Sequence, residues 1–354
     1  MACWVGGAVD PGGGAALGTA AELRECTGAG REAWSEQELA EKLIIDADPG
    51  IGDAIAVAFA LSDPSFEVVA LTATAGRFSG PQATRNLQCV TALLDPDHRP
   101  RLGDCDRPGI PINEGPHAPA APLLDGEQGL GECDVPMSVL HQRHQSARLL
   151  AELVRTQPDR FTLLTLGPLT NVELAMERYP EFLQHLKSLV VLGGSVGAGG
   201  DATAAAEFNC FADPEAARNV LIQPATKTLV PLDVSQKLMV SFEQYQRWGL
   251  KESSYLGRML EGTLPFALRS SRQHLGLEGV RLPGVVALCA IAQPRLFQRE
   301  AMCVDVELSG KLTRGVTVFD RRGVSQWQTN IDVLTDVDVQ GVVDYMTRVI
   351  RAAR

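Results

Sequence analysis

Asp46, Asp48 and Asp53 flank a Pro49-Gly50 turn that follows the apolar run Leu43-Ile44-Ile45. Carboxylates brought close together repel one another unless a hard cation or shared protons join them. The pattern marks a candidate metal-dependent site. Two further segments add donors. In Leu166-Gly167-Pro168-Leu169-Thr170-Asn171 the Gly-Pro turn can leave the Leu166 carbonyl facing a crevice, a normal hard-cation ligand. Taken alone, that segment reads more simply as a strand-to-helix turn capped by Thr170. Glu207 and Asn209 alternate around Phe208, so in an extended segment both face one way and Phe208 the other. A carboxylate beside a carboxamide suits the hydroxyls of a sugar, or equally an exposed polar face.

These residues need a scaffold, and the hydrophobic pattern supplies one. Residues 43–45 read as a buried strand, and 54–61 as a helix. Strands are expected over 66–74, 161–166, 189–194 and 226–232, the last ending at Asp233. Helices are expected over 82–94, 145–156, 171–178 and 214–221, the last with Asp213 as cap and Pro214 in its first turn. Residues 241–276 read as amphipathic helix, 283–292 as an apolar helix, 304–308 with 315–319 as a hairpin, and 339–350 as a closing helix. Alternating strands and helices predict an α/β fold, a mostly parallel, doubly wound, Rossmann-like sheet with helices on both faces. Such sheets place ligands beyond the carboxyl ends of their strands, where Asp48 stands. The glycine-dense segment 123–131 reads as a loop covering the site. Residues 1–35 read as a flexible Gly/Ala-rich extension and 36–354 as a single domain.

The composition narrows the class. A net charge of -11 over 354 residues argues against nucleic acid or an acidic membrane as partner. No apolar run approaches the ~20 residues that span a bilayer, and the amino terminus lacks the pattern of a signal peptide. The expected setting is cytoplasmic. The eight cysteines include no Cys-x-x-Cys pair, so neither a structural zinc nor a thioredoxin-type site is indicated. The six histidines have no metal-ligand spacing. An EF-hand is excluded, because its loop would need Glu where Val57 stands.

Four motifs together, 46-DADPGIGDA-54, 83-ATRN-86, 166-LGPLTN-171 and 206-AEFNCFADPEAA-217, resemble the inosine-uridine-preferring nucleoside hydrolase family, in that order along the chain. The resemblance implies a calcium-dependent N-ribohydrolase acting on a small nucleoside, assembled as a homodimer or homotetramer. It implies that Asp48, Asp53 and the Leu166 carbonyl hold calcium and that Asp48 takes the proton of the attacking water. Glu207, Asn209 and the residue at Asp201 would hold the ribose, and Asp46 would support the loop without touching the ion. The chemistry is coherent: cleaving an N-glycosidic bond builds positive charge on the sugar and needs an activated water.

Several positions depart from that pattern. Gly52 stands where the family carries a ribose-holding aspartate, and Arg77 where it carries an asparagine. Asp201 also replaces an asparagine. Arg281-Leu282 aligns with a His-Asp pair whose aspartate binds calcium and whose histidine assists the leaving base. Leucine cannot bind calcium, and arginine is a poor proton donor although it can stabilise a departing anion. Water, Asp233 or Glu278 could fill the lost coordination. Two readings follow: a hydrolase with a remodelled site, or a degenerate member that binds a nucleoside or sugar without cleaving it, with Arg77 or Arg281 in place of the metal. The strand followed by Asp-x-Asp also resembles haloacid-dehalogenase-type phosphatases, but Gly50 stands where they carry Thr or Val.

Overall fold

The computed structural model describes residues 40–105, 124–133, 144–250, 254–322 and 328–353. The expected extension over 1–35 lies outside the described residues, as do the first residue of the 123–131 loop, His117, His141, Cys3 and Cys26. From Ala40 onward the chain forms one compact unit.

Its centre is a nine-stranded sheet in the order β10-β13-β7-β6-β5-β1-β2-β3-β4. The strands are β1 (Glu41–Ala47), β2 (Phe66–Ala73), β3 (Arg101–Asp104), β4 (His144–Gln145) and β5 (Thr162–Thr165). Then follow β6 (Ser188–Leu192), β7 (Lys227–Val230), β10 (Phe297–Met302) and β13 (Ile331–Val337). All pairs are parallel except β10 with β13. Two antiparallel pairs lie outside the sheet: β8 (Met239–Ser241) with β9 (Gly279–Arg281), and β11 (Val304–Val306) with β12 (Thr317–Phe319).

The apolar run in β1 is fully buried because both faces of the sheet are covered. Leu43, Ile45 and Ala47 pack in the core beneath α1 (Ile51–Ser62), while Ile44 faces the opposite core with Leu163 and Val191. Leu43, Ile44 and Ile45 each contribute roughly 1.5–3 kcal/mol by leaving water. The helices divide accordingly. Those packing with α1 are α2 (Gly80–Leu94), α9 (Tyr255–Ser270), α10 (Pro283–Ala292) and α11 (Val339–Ala352). On the other side lie α3 (Ser146–Thr156), α4 (Thr170–Arg178) and α6 (Pro214–Leu221). Shorter helices are α5 (Phe208–Ala212), α7 (Leu232–Ser235) and α8 (Phe242–Trp248).

The strand order reverses between β1 and β5, since the chain runs outward from β1 through β2 and from β5 through β6. A crevice opens at such a switch point, beyond the carboxyl ends of the strands. Residues 241–276, read as amphipathic helix, hold α8, α9 and a π-helical turn over Ser271–Leu275, with residues 251–253 outside the description. The interruption falls where Gly249, in a left-handed conformation, ends α8 and Ser254 caps α9, its hydroxyl accepting the Gly257 N–H at 2.8 Å. Periodicity does not reveal a cap placed inside an amphipathic pattern.

Candidate functional site

A cavity of roughly 310 Å³ lies at the switch point and is lined by Asp48, Asp53, Arg77, Asp125, Glu207 and Asn209. Gly52, Leu166, Asp201 and Arg281 also reach its wall.

Asp48 follows β1 and is only 2% exposed. Its Oδ2 accepts the backbone N–H of Arg77 at 2.6 Å. Two glycines let the backbone close on the carboxylate: a Cβ on Gly76 would sit 2.0 Å from Oδ2, and one on Gly167 2.4 Å from Oδ1. Burial pushes the Asp48 pKa up to about 7, against the Arg77 N–H and the Arg77 charge. Asp53 occupies the first turn of α1, where the helix dipole favours an anion. Burial and the nearby Asp48 nevertheless hold its pKa well above the usual carboxylate range.

Asp125 was not singled out by sequence reasoning, although its glycine-dense loop was. Its Oδ1 accepts the Ile51 N–H at 2.9 Å, closing the amino terminus of α1 that Gly50 leaves without a side-chain cap. The loop thereby brings a third carboxylate into the cavity, and burial raises the Asp125 pKa too. An acid amid glycines was the available signal; its partner lies 74 positions away.

Arg77 stands among these acids. Burial works against its charge, but Asp125, Asp201, Asp48 and Asp53 outweigh that and hold its pKa above the ordinary value. Among the described residues its guanidinium has no hydrogen bond or ion pair. It lies over the Phe208 ring, 5.1 Å from the centroid, within cation–π range.

Glu207 and Asn209 reach the cavity by a different route from the alternation expected of a strand. Glu207 is the N-cap of α5, and Phe208 lines the cavity with them. The Glu207 carboxylate accepts the N–H groups of Gly194, Asn209 and Cys210 at 2.8, 2.9 and 3.0 Å. Burial and then Asp201 raise its pKa to about 7. The Asn209 amide donates to the carbonyls of Leu166 and Leu192 at 2.8 and 2.9 Å. It thus ties the ends of β5 and β6 together. Asp201 accepts the Phe208 N–H at 2.8 Å.

The remaining positions resolve as follows. Asp46 lies beneath the floor, its Oδ1 accepting from Thr72 Oγ1 at 2.6 Å and Asn171 Nδ2 at 2.8 Å. Asn86 donates to the Pro49 carbonyl at 2.8 Å and so fixes the acidic turn. A Cβ on Gly52 would meet nothing within 4 Å, so that wall is open. Arg281 is exposed at the rim and donates to Gln236 Oε1 at 3.2 Å. Leu282 is fully buried in the core. Of the substitutes suggested for the lost ligand, neither Asp233 nor Glu278 lines the cavity. Asp233 accepts the N–H groups of Val196 and Gly197 at 2.7 and 2.8 Å, and Glu278 lies 4.0 Å from Arg272. Thr170 does not cap α4, whose N-cap is Leu169; its hydroxyl donates to Asp213 at 2.5 Å.

The donor set does not fit the calcium site that the resemblance implies. Among the described residues no three His, Cys, Asp or Glu side chains are grouped to hold a metal ion. Leu282 offers no donor, and a guanidinium balances the acids.

Comparison with known proteins gives consistent results. Residues 43–344 match the family model described as inosine-uridine preferring nucleoside hydrolase. The chain is 33% identical over 327 residues to uridine nucleosidase 1 of Arabidopsis thaliana, covering 86% of this chain and 92% of the relative. It is 30% identical over 318 residues to the pyrimidine-specific ribonucleoside hydrolase RihA of Escherichia coli (strain SMS-3-5 / SECEC), covering 87% and 97%. Among solved structures, the plant nucleoside hydrolase PpNRh1 aligns with a TM-score of 0.77 at 26% identity, covering 88% of this chain and 98% of that one.

Proposed function

We infer that this chain, which belongs to the inosine-uridine preferring nucleoside hydrolase family, hydrolyses the N-glycosidic bond of a ribonucleoside. The observation that carries this reading is the Asp48 carboxylate, buried, clamped and raised to about 7 beside Asp53 and Asp125. A base with a pKa near neutrality combines a useful fraction of the ionised form with real proton affinity. Asp48 takes a proton from water, the water oxygen bonds to the anomeric carbon, and the bond to the base nitrogen breaks with its electron pair. Asp53 and Asp125 face the positive charge that develops on the pentose. Arg281 at the rim is placed to stabilise the departing base as an anion. Glu207 and Asn209 offer their remaining lone pairs to sugar hydroxyls, with Asp201 beside them. No step is assigned to calcium, because the residues do not fit it.

The names of the relatives above put pyrimidine ribonucleosides first among candidate substrates. Release of reducing sugar from uridine, cytidine, inosine and adenosine tests the reading. Turnover of at least one supports it, and no turnover of any overturns it. A second reading, a degenerate member that binds without cleaving, is favoured by the buried Leu282 where the resemblance expects an acid. It predicts that uridine protects the chain from unfolding while no sugar is released. Family membership displaces the phosphatase alternative. A homodimer or homotetramer belongs to the same proposal and is read by analytical ultracentrifugation. A cytoplasmic setting is proposed from the sequence; no helix among the described residues is long and apolar enough to cross a membrane.

A further inference from the structure

The cavity contains a positive charge of its own. Arg77 places a guanidinium in the field of Asp48, Asp53, Asp125 and Asp201, with Phe208 beneath it. Its backbone N–H holds Asp48 Oδ2, so the charge and the clamp on Asp48 come from one residue. Among the described residues neither the Arg77 guanidinium nor the Asp53 carboxylate has a hydrogen-bond partner, although both line the cavity. A guanidinium carries five donors in a planar fork and a carboxylate carries only acceptors. Lining one cavity, they complement vicinal hydroxyls, which donate and accept at once.

We propose that the Arg77 guanidinium replaces a divalent cation in this cavity, so that the chain binds the hydroxyls of a pentose without a metal. Two arguments converge on this. A cation seated between Asp48 and Asp53 would lie beside a fixed positive charge in a partly dehydrated space, where like charges repel strongly. The set of oxygens that a hard cation needs is also incomplete, since calcium takes six to eight and Leu282 supplies none. The proposal rests on the pentose-binding reading above for its ligand, but its statement about the cation stands apart from it.

The test uses the full chain, stripped with EDTA, as wild type, Arg77→Asn and Arg77→Lys. Calcium chloride is titrated into each in a calorimeter. The wild type and Arg77→Lys, which keep the charge, should show no calcium binding. Arg77→Asn, which removes it, should bind calcium, at least about tenfold more tightly than the weakest binding the titration detects. Adding Asp48→Asn to Arg77→Asn should abolish the gained binding and so locate the ion. If Arg77→Asn fails to fold, Arg77→Gln takes its place. Wild-type binding of calcium that Asp48→Asn removes overturns the proposal, and so does a neutral variant that gains none.

A second measurement reads the ligand. Uridine should raise the thermal midpoint of the wild type equally in EDTA and in calcium, and a rise seen only with calcium overturns the proposal. If the calcium results hold but neither uridine nor ribose shifts the midpoint under either condition, the pentose-binding half is overturned. In that case the replacement of the ion by Arg77 stands.

Discussion

At the scale of single residues, Asp48 is the group on which activity turns. Its carboxylate is buried against two glycines and one N–H, and its pKa of about 7 reflects dehydration more than any partner. Asp48→Asn preserves the shape and an acceptor for the Arg77 N–H while removing the proton acceptor. The expected result with uridine is a fall in kcat of about 10²–10⁴-fold, the range set by a lost general base. The thermal midpoint should not fall, because a neutral amide replaces a carboxylate that is costly to ionise in that position. Activity within tenfold of wild type would remove Asp48 from the role. Asp125 and Arg77 show how much of the site is legible residue by residue. Arg77 could be recognised as a departure from the family pattern, yet nothing local says that its guanidinium turns inward over Phe208. Asp125 comes from a distant loop, and only the folded chain brings it to the Ile51 N–H.

At the scale of elements, the site is made by connections that pass unusually close to one another. The turn after β2 carries Gly76, the turn after β5 carries Gly167, and both backbones close on the Asp48 carboxylate. A methyl group at either glycine overlaps a carboxylate oxygen, so either Asp48 or the turn must move. Gly76→Ala and Gly167→Ala should each cut uridine hydrolysis nearly as far as Asp48→Asn. Each should also lower stability by about 1–3 kcal/mol, the cost of overpacking. Gly52→Ala is the control for folding, since its methyl group meets nothing. It should leave the urea midpoint unchanged or slightly higher, because alanine is the better helix former. Wild-type activity in both Gly76→Ala and Gly167→Ala would show that the close packing around Asp48 is not required. The central parallel strands were readable because burial on both faces leaves continuous apolar runs, as in Leu43-Ile44-Ile45. The strands β3, β4, β8 and β9 were not, being two to four residues long and carrying polar side chains such as Arg101, His144 and Arg281. The buried strand expected at 43–45 and the helix expected at 54–61 lie within β1 and α1. The alternation imagined at 207–209 failed because Glu207 starts a helix there.

At the scale of the whole molecule, the cavity acids set how stability responds to pH. In the folded chain Asp48 and Glu207 have pKa values of about 7, raised by burial first of all. Unfolding returns them to the ordinary carboxylate range near 4. Between these limits the folded chain binds protons that the unfolded chain has released, so stability must fall as pH rises through that window. Asp305, Asp320 and Asp336 have lowered pKa values: at Asp305 burial is outweighed by Arg218 and the Val306 N–H together, and at Asp320 and Asp336 Arg322 and Lys237 lead and burial opposes them weakly. Their contributions are complete above the ordinary range and are lost only on further acidification, outside the cavity's window. The net charge of -11 at pH 7 acts in the same direction as the cavity, because self-repulsion grows as acids ionise. Free of ligand, the chain should therefore be less stable at pH 7 than at pH 5, by an amount on the order of a few kcal/mol. Urea unfolding at pH 5, 6, 7 and 8 reads this directly, and Asp48→Asn should flatten part of the slope. A midpoint that stays level or climbs over that range would mean that the folded cavity holds its acids ionised, with their charge met by something other than protons.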